Sequence, residues 1–308
     1  ERGTAFEASI IDTIKELEAE FGESTVYAVL REPTEADAMP DVVMRIHNTL
    51  LNIEAKMTRA QYSSVTFAVD KETGKFNIKK DYTFKDKLLK TLSKEAKEGI
   101  ELAKERLKLE GYNWTDLSML PADLYNILVS EKVNFKGKEQ SYLSAMNPTM
   151  NISLDVISEI YNKKKHPVNY IHMMGRGLFF MGGYNNETNI LGTPEFKGDG
   201  EIKLRTIPNS QYKTVNGVKT KTGNKILTWR AIPTLPEKTL ETLKPHSKTL
   251  DTKDGIRNIV NSKEGKALAM FSKSKNANTL NNAVKMSRST NKPSKGITVL
   301  DFDDTLAT

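Results

Sequence analysis

"PDVVMRIHNTLLNIEAKM", Pro40 to Met57, is the stretch on which the reading of this chain turns. Two strand-forming runs, DVVMRIH and LLNIEAKM, meet near Asn48-Thr49. Asp41 opens the first run, while Glu54 and Lys56 stand near the end of the second. Residues two apart on a strand leave the same face, so Glu54 and Lys56 project together and Asn52 continues the polar stripe. If the strand that begins at Asp41 lies antiparallel beside this one, the spacing brings Asp41 across the ladder to Glu54. Two readings stay open. The charges are the solvated decoration of an ordinary hairpin, or they are two carboxylates and an ammonium gathered around a cation. Paired carboxylates in a half-buried setting repel, and a divalent ion removes that cost.

Working outward, a helix precedes the hairpin. In "TAFEASIIDTIKELEAEFG" the residues Phe6, Ile10, Ile14, Leu17 and Phe21 share one face, and Gly22 supplies the stop. Glu7 adjoins Phe6 on the flank of that stripe, near Ile11 and Ile14, where it could reach the edge of a site. "STVYAVL" reads as a strand ending before Pro33. After the central hairpin, "SSVTFAVDKETGKFNIKK" reads as a second hairpin with its turn near Thr73-Gly74. Asp86 to about Leu109 reads as a long amphipathic helix. Helix, strands and helix in that order give an α/β class with a mixed central sheet flanked by helices.

Downstream the pattern loosens. "SLDVISEIYNKKK" reads as helix, and "VNYIHMMGRGLFFMGG" as an apolar segment broken by glycines. "GEIKLRTI" and "GNKILTWRAI" read as strands. The expected organisation is a first domain over 1–165, a β-rich extension or second domain over 166–235, and a polar linker with marginal helices over 236–295. A final strand falls in 296–308. The glycines at 175, 177, 182 and 183 fit neither GxGxxG nor GxxxxGK[ST], so a nucleotide-binding loop is not expected there. A tight β bend packed by Phe179 and Phe180 accounts for them, with Arg176 either solvated or a phosphate contact.

The chain has 308 residues and no cysteine, which excludes disulfides, zinc–thiolate sites and thiol nucleophiles. Its four histidines, His47, His166, His172 and His246, are too scattered to suggest a zinc cluster. No apolar run approaches the roughly 20 residues needed to span a bilayer, so no membrane is expected as a partner. Lysine and arginine outnumber acids by 46 to 39, for a formal charge of +7. That excess favours a polyanionic partner without establishing one. The beginning "ERGTAF", without methionine or a signal-like segment, reads as a trimmed chain.

The "PD…EAK" of this hairpin, after one helix and before another, resembles the core of the PD-(D/E)xK nuclease superfamily, also called restriction-endonuclease-like, over about residues 1–110. The resemblance implies a metal-dependent phosphodiesterase centre, with a first-helix glutamate at Glu7, an aspartate at Asp41, and the acid-x-lysine at Glu54 and Lys56. Mg²⁺ or Mn²⁺ would then be held by Asp41, Glu54 and Glu7, and nucleic acid would be the substrate, DNA slightly favoured over RNA. Gln61, in "AQY" at 60–62, is similar to polar residues placed after the third core strand in some branches. The alternative is a non-catalytic nucleic-acid-binding or virion-associated module on the same fold. His47, an even six residues from Asp41, either shares the site's face or closes the hairpin.

At the other end, "KGITVLDFDDTLAT" contains Asp301, Asp303 and Thr305 in the DxDxT pattern of HAD-like phosphatases, whose resemblance implies a nucleophile and a general acid/base. Too little chain follows for that fold, so no phosphatase activity is expected of these 308 residues. A nuclease joined to such a module is similar to arrangements in phage multidomain proteins. The expected location is therefore cytoplasmic, in the host cytoplasm or the virion if phage-encoded.

Overall fold

The computed structural model describes residues 2–22, 25–29, 40–47, 49–182 and 188–272. The first elements are α1 (Arg2–Phe21), β1 (Val26–Val29), β2 (Val42–Ile46), β3 (Thr49–Lys56), β4 (Val65–Val69), β5 (Phe76–Asn77) and α2 (Lys85–Leu109). Then follow β6 (Met119–Pro121), α3 (Ala122–Ser130), β7 (Lys132–Phe135), β8 (Lys138–Ser141), α4 (Tyr142–Ala145), β9 (Thr149–Ser153) and α5 (Leu154–Asn162). The last are β10 (Tyr170–Met173), β11 (Gly177–Phe180), β12 (Asp199–Val215), β13 (Val218–Thr234), α6 (Glu237–Thr242), α7 (Lys253–Val260) and α8 (Lys263–Ser272). The class is α/β, as the alternation of periods implies.

Two compact units share the chain. One comprises Glu1–Ala60, Tyr161–Gly198 and Glu237–Thr308; the other comprises Gln61–Ile160 and Asp199–Pro236. The units are therefore interleaved, whereas the sequence suggested consecutive segments.

The first unit is built on a sheet of order β1-β2-β3-β10-β11. Its first three strands are antiparallel neighbours, and β10 then joins β3 in parallel. Here the segment expected in a β-rich extension, 166–235, is split. Tyr170–Met173 and Gly177–Phe180 complete the sheet that holds Asp41 and Glu54. Every residue of these two strands is buried, which is why they lack the polar–apolar alternation that would have marked them as sheet partners. The reversal between them needs Gly175 and Gly177, at φ +70 and +103. α1 covers one face of this sheet: Phe6, Ile10, Ile14 and Leu17 pack with Leu51, Ile53 and Ala55. Gly22 ends the helix at φ +82.

The stretch read as a polar linker, 236–295, contains α6, α7 and α8 over its described part. Leu250, Ile256, Ile259, Val260 and Leu268 join the same core as α1. A few well-spaced apolar residues suffice to dock short helices, even where lysine, serine and asparagine dominate the composition. Residues 273–295, and the strand expected in 296–308 with Asp301, Asp303 and Thr305, lie outside the described residues.

The second unit holds a sheet of order β5-β4-β13-β12-β9, with β6 also paired to β13. The Thr73-Gly74 turn forms as expected, with Gly74 at φ +65, but its hairpin belongs to this sheet and not to that of Asp41. α2 supplies Leu88, Leu92, Ala96, Ile100, Ala103 and Leu107 to a core shared with Trp114 and Trp229. At Gly99 the helix approaches so closely that an added Cβ would meet Ala145 O at 2.0 Å. Only glycine permits that approach.

Candidate metal and phosphodiester site

The register of the β2–β3 hairpin decides the geometry. Val42 pairs with Ile53, so Asp41, one residue earlier, stands beside Glu54 at the open end of the ladder. The side chains of Leu51, Ile53 and Ala55 go to the α1 core, and those of Asn52, Glu54 and Lys56 alternate to the other face. Lys56 Nζ lies 2.6 Å from Glu54 Oε1 and 3.4 Å from Asp41 Oδ2. The Ala55 N–H donates to the same Asp41 oxygen at 3.0 Å. Glu54 is almost wholly buried, at 3% exposure, so this is not the solvated decoration of a hairpin.

Burial first, and then the charge of Glu54, push the Asp41 carboxyl above the usual aspartate range, with Lys56 and the Ala55 N–H pulling it back in part. For Lys56, burial lowers the ammonium's pKa, but Glu54 and Asp41 outweigh it and hold the group above the ordinary lysine value. One cation is thus shared by two acids, one of which is under electrostatic pressure to take up a proton.

Lys164, just beyond α5, adds a second ammonium. Its Nζ is 3.5 Å from Glu54 Oε2 and 4.2 Å from the centre of the Tyr161 ring. Asn52 Nδ2 donates to Pro167 O at 2.8 Å and so ties the segment after α5 to β3. Lys164 was not singled out in the sequence, where it is one letter of "NKKKHP"; a contact across 110 residues leaves no local signal.

Glu7 is half-buried on α1, which covers the sheet face opposite Glu54 and Lys56. Among the described residues no group of three or more histidine, aspartate or glutamate side chains gathers closely enough to hold an ion. Of the expected trio Asp41, Glu54 and Glu7, the first two meet through Lys56. Gln61 is exposed and opens the second unit. His47 sits in the β2–β3 turn at φ +50, at the far end of β2 from Asp41. Arg176 donates to Leu243 O at 2.8 Å, while Phe179 and Phe180 are buried.

His172 on β10 is fully buried, stacked on Phe6 at 5.3 Å. In register with Ala55, it faces the α1 side. Leu250 N–H donates to its Nε2 at 3.0 Å, and Thr249 Oγ1 lies 2.8 Å from the same nitrogen. Burial drives its pKa down to about 4, against the attraction of Asp251, with His246 adding to the depression. It is a neutral packing group.

The donor chemistry suits a hard divalent cation in one respect: two carboxylates that reach the same ammonium can also converge on one ion of smaller radius. Mg²⁺ takes oxygen ligands at about 2.0–2.1 Å, keeps several waters, and is usually bound through one or two carboxylates together with substrate phosphates. Among the described residues no helix is long and apolar enough to cross a membrane.

No family model matches this chain, and no curated protein sequence matches it. A solved structure of HhaI endonuclease in complex with DNA is similar at a TM-score of 0.35 and 10% identity, over 77% of this chain and 95% of that one. A likeness of that size does not assign chemistry, which has to come from the side chains themselves.

Proposed function

We propose that the chain is a metal-dependent nuclease that hydrolyses phosphodiester bonds, on a restriction-endonuclease-like arrangement of α1, β1, β2 and β3. The observation that carries this reading is the convergence of Asp41 and Glu54, from adjacent strands, on the one Nζ of Lys56. Burial of opposed carboxylates costs stability unless something else uses them. Mg²⁺ or Mn²⁺ held by this pair would supply charge neutralisation on a phosphodiester oxygen and acidify a water. Lys56 would orient a water or offset charge that develops on the phosphate. Lys164 keeps the second oxygen of Glu54 oriented. In the second unit, Lys75, Lys90 and Lys97 line a groove of about 590 Å³ together with an ion-paired Lys104 and Glu101, and the net positive lining is of the kind that favours a polyanion.

The test is cleavage by the purified chain of linear and nicked duplex DNA, single-stranded DNA and structured RNA. Mg²⁺ or Mn²⁺ should support hydrolysis, EDTA should stop it, and Asp41→Asn should abolish it. Absence of cleavage across that panel, with no Mn²⁺ heat in calorimetry, would leave a nucleic-acid-binding module without catalysis. Cleavage that survives in Asp41→Asn would place the chemistry elsewhere.

A further inference from the structure

β12 and β13 are 17 residues each, far longer than the strands they pair with. β9 leaves β12 after Lys203, and β6 leaves β13 at Asn224, so the outer part of the hairpin is a two-stranded ribbon. Residues 212–221 are all exposed. The ribbon closes through Asn216-Gly217, at φ +49 and +77, the left-handed pair of a tight hairpin turn whose twist matches the strands. A register shift between Ser210 and Tyr212 marks its base, where Gln211 Oε1 accepts from Thr222 Oγ1 at 2.7 Å and from Asn224 Nδ2 at 3.2 Å. The ribbon is thus a stitched structure and not a loose loop.

Its charge is of one sign. From Ile202 to Pro236 there is no aspartate or glutamate, while Lys203, Arg205, Lys213, Lys219, Lys221, Lys225 and Arg230 are basic. Directly opposed residues share a face. Tyr212 opposes Lys221 and Thr214 opposes Lys219, giving one face two ammoniums beside an aromatic ring that is 53% exposed. The other face pairs Lys213 with Thr220, and Val215 with Val218, the valines 46% and 65% exposed. Lysines on exposed strands also discourage edge-to-edge pairing. Either sign of charge would do that, however, and the exclusion of every acid over this span selects for an anionic partner.

We propose that this ribbon is a duplex DNA-binding arm that enters the major groove and contacts the flanking phosphates. Strands about 5 Å apart, with side chains on both faces, match a major groove about 12 Å wide, which admits a two-stranded ribbon. The deep, narrow major groove of A-form RNA does not. The lysines fall on both faces, as contact with both walls of a groove requires. The proposal deepens the nuclease reading by naming the substrate class, and it rests on that reading only for its biological sense, because binding is measured without metal.

The experiment compares the unaltered chain with Lys213→Ala/Lys219→Ala/Lys221→Ala by fluorescence anisotropy on a short labelled DNA duplex, in EDTA, across a salt series. Loss of three phosphate contacts lowers the slope of log K against log salt by about 2.7. Affinity at low salt is expected to fall at least about tenfold. The corresponding triple Lys→Arg variant keeps the charge and should restore both, which separates lost contacts from lost folding. Duplex RNA of the same sequence should bind the unaltered chain more weakly and respond less to the alanine variant. Unchanged affinity and slope in the alanine variant would overturn the proposal, as would an equal loss on duplex RNA or self-association through the ribbon in sedimentation. Failure of the nuclease reading looks different: ribbon-dependent binding to DNA with no cleavage when Mg²⁺ is restored.

Discussion

The sheets of the two units handle charge in opposite ways. In the first, Asp41, Glu54, Lys56 and Lys164 bring both signs together at the open end of a hairpin, with Glu54 almost removed from water. In the second, β12 and β13 carry charges of one sign out along a ribbon where every side chain from 212 to 221 meets solvent. Buried groups of opposite sign perturb one another's protonation and can be rearranged by a single incoming ion. Exposed groups of one sign act over a distance set by salt. The first arrangement suits chemistry and the second suits grip.

The largest effect should come from separating these roles. Glu54→Gln should lower metal-dependent cleavage by about a thousandfold, the scale of losing a key electrostatic group, while binding to duplex DNA in EDTA stays within about twofold. A comparable loss of both, measured side by side, would break the distinction between the two sheets. Next in size is Lys56→Met, which leaves Asp41 and Glu54 opposed without their shared ammonium. Breaking a largely buried ion pair costs about 3 kcal/mol, and adding Asp41→Asn to the same chain should recover most of it in a denaturant titration. Because the folded pKa of Lys56 is raised, its contribution is full below pH 10.5 and disappears only as pH climbs through the folded value.

Gly99→Ala tests the second unit's packing, independent of any charge. A Cβ forced to 2.0 Å from Ala145 O must move backbone, at a cost of about 2–3 kcal/mol. A shift in denaturant midpoint of less than a third of that would show that α2 yields easily. His172 gives a pH signature to the first unit. Its folded pKa of about 4 lies below the ordinary 6.5, so the stability of the neutral ring is present above pH 6.5 and lost as pH falls towards 4. The loss is about 3 kcal/mol at most. His172→Gln, whose amide oxygen can still accept from Leu250 N–H, should flatten that part of the acid limb. The smallest effect is Lys213→Ala alone, which should weaken duplex binding about twofold at low salt and leave cleavage rates at saturating substrate unchanged.

Where the sequence was informative, the cause was local. Glu54 and Lys56 share a face because side chains alternate, and Asp41 meets them because the turn between the strands is short. α1 and α2 announced themselves by their apolar period. The exchange of segments between units was hidden, because β10 is buried on all sides and reads as an undirected apolar run. Lys164 was hidden by distance along the chain. The ribbon was not hidden at all: Asn216-Gly217 between two β-rich runs is a strong hairpin signal, and the acid-free span around it is countable from the letters alone.

The parallel pairing of β3 with β10 has a consequence for biogenesis. Glu54 is synthesised more than a hundred residues before Ile171, its partner across that ladder. Until then β3 offers the nascent chain an open edge beside an already formed hairpin, while residues 61–160, which belong to the other unit, emerge. The chain passes between units at Ala60, Ile160, Gly198 and Pro236, so no single proteolytic cut releases either one whole. A rearranged chain in which residue 60 is joined directly to residue 161, with 61–160 moved to the C-terminal end, would shorten the loop that must close before the first sheet can form. It should therefore fold its first unit faster than the natural order allows.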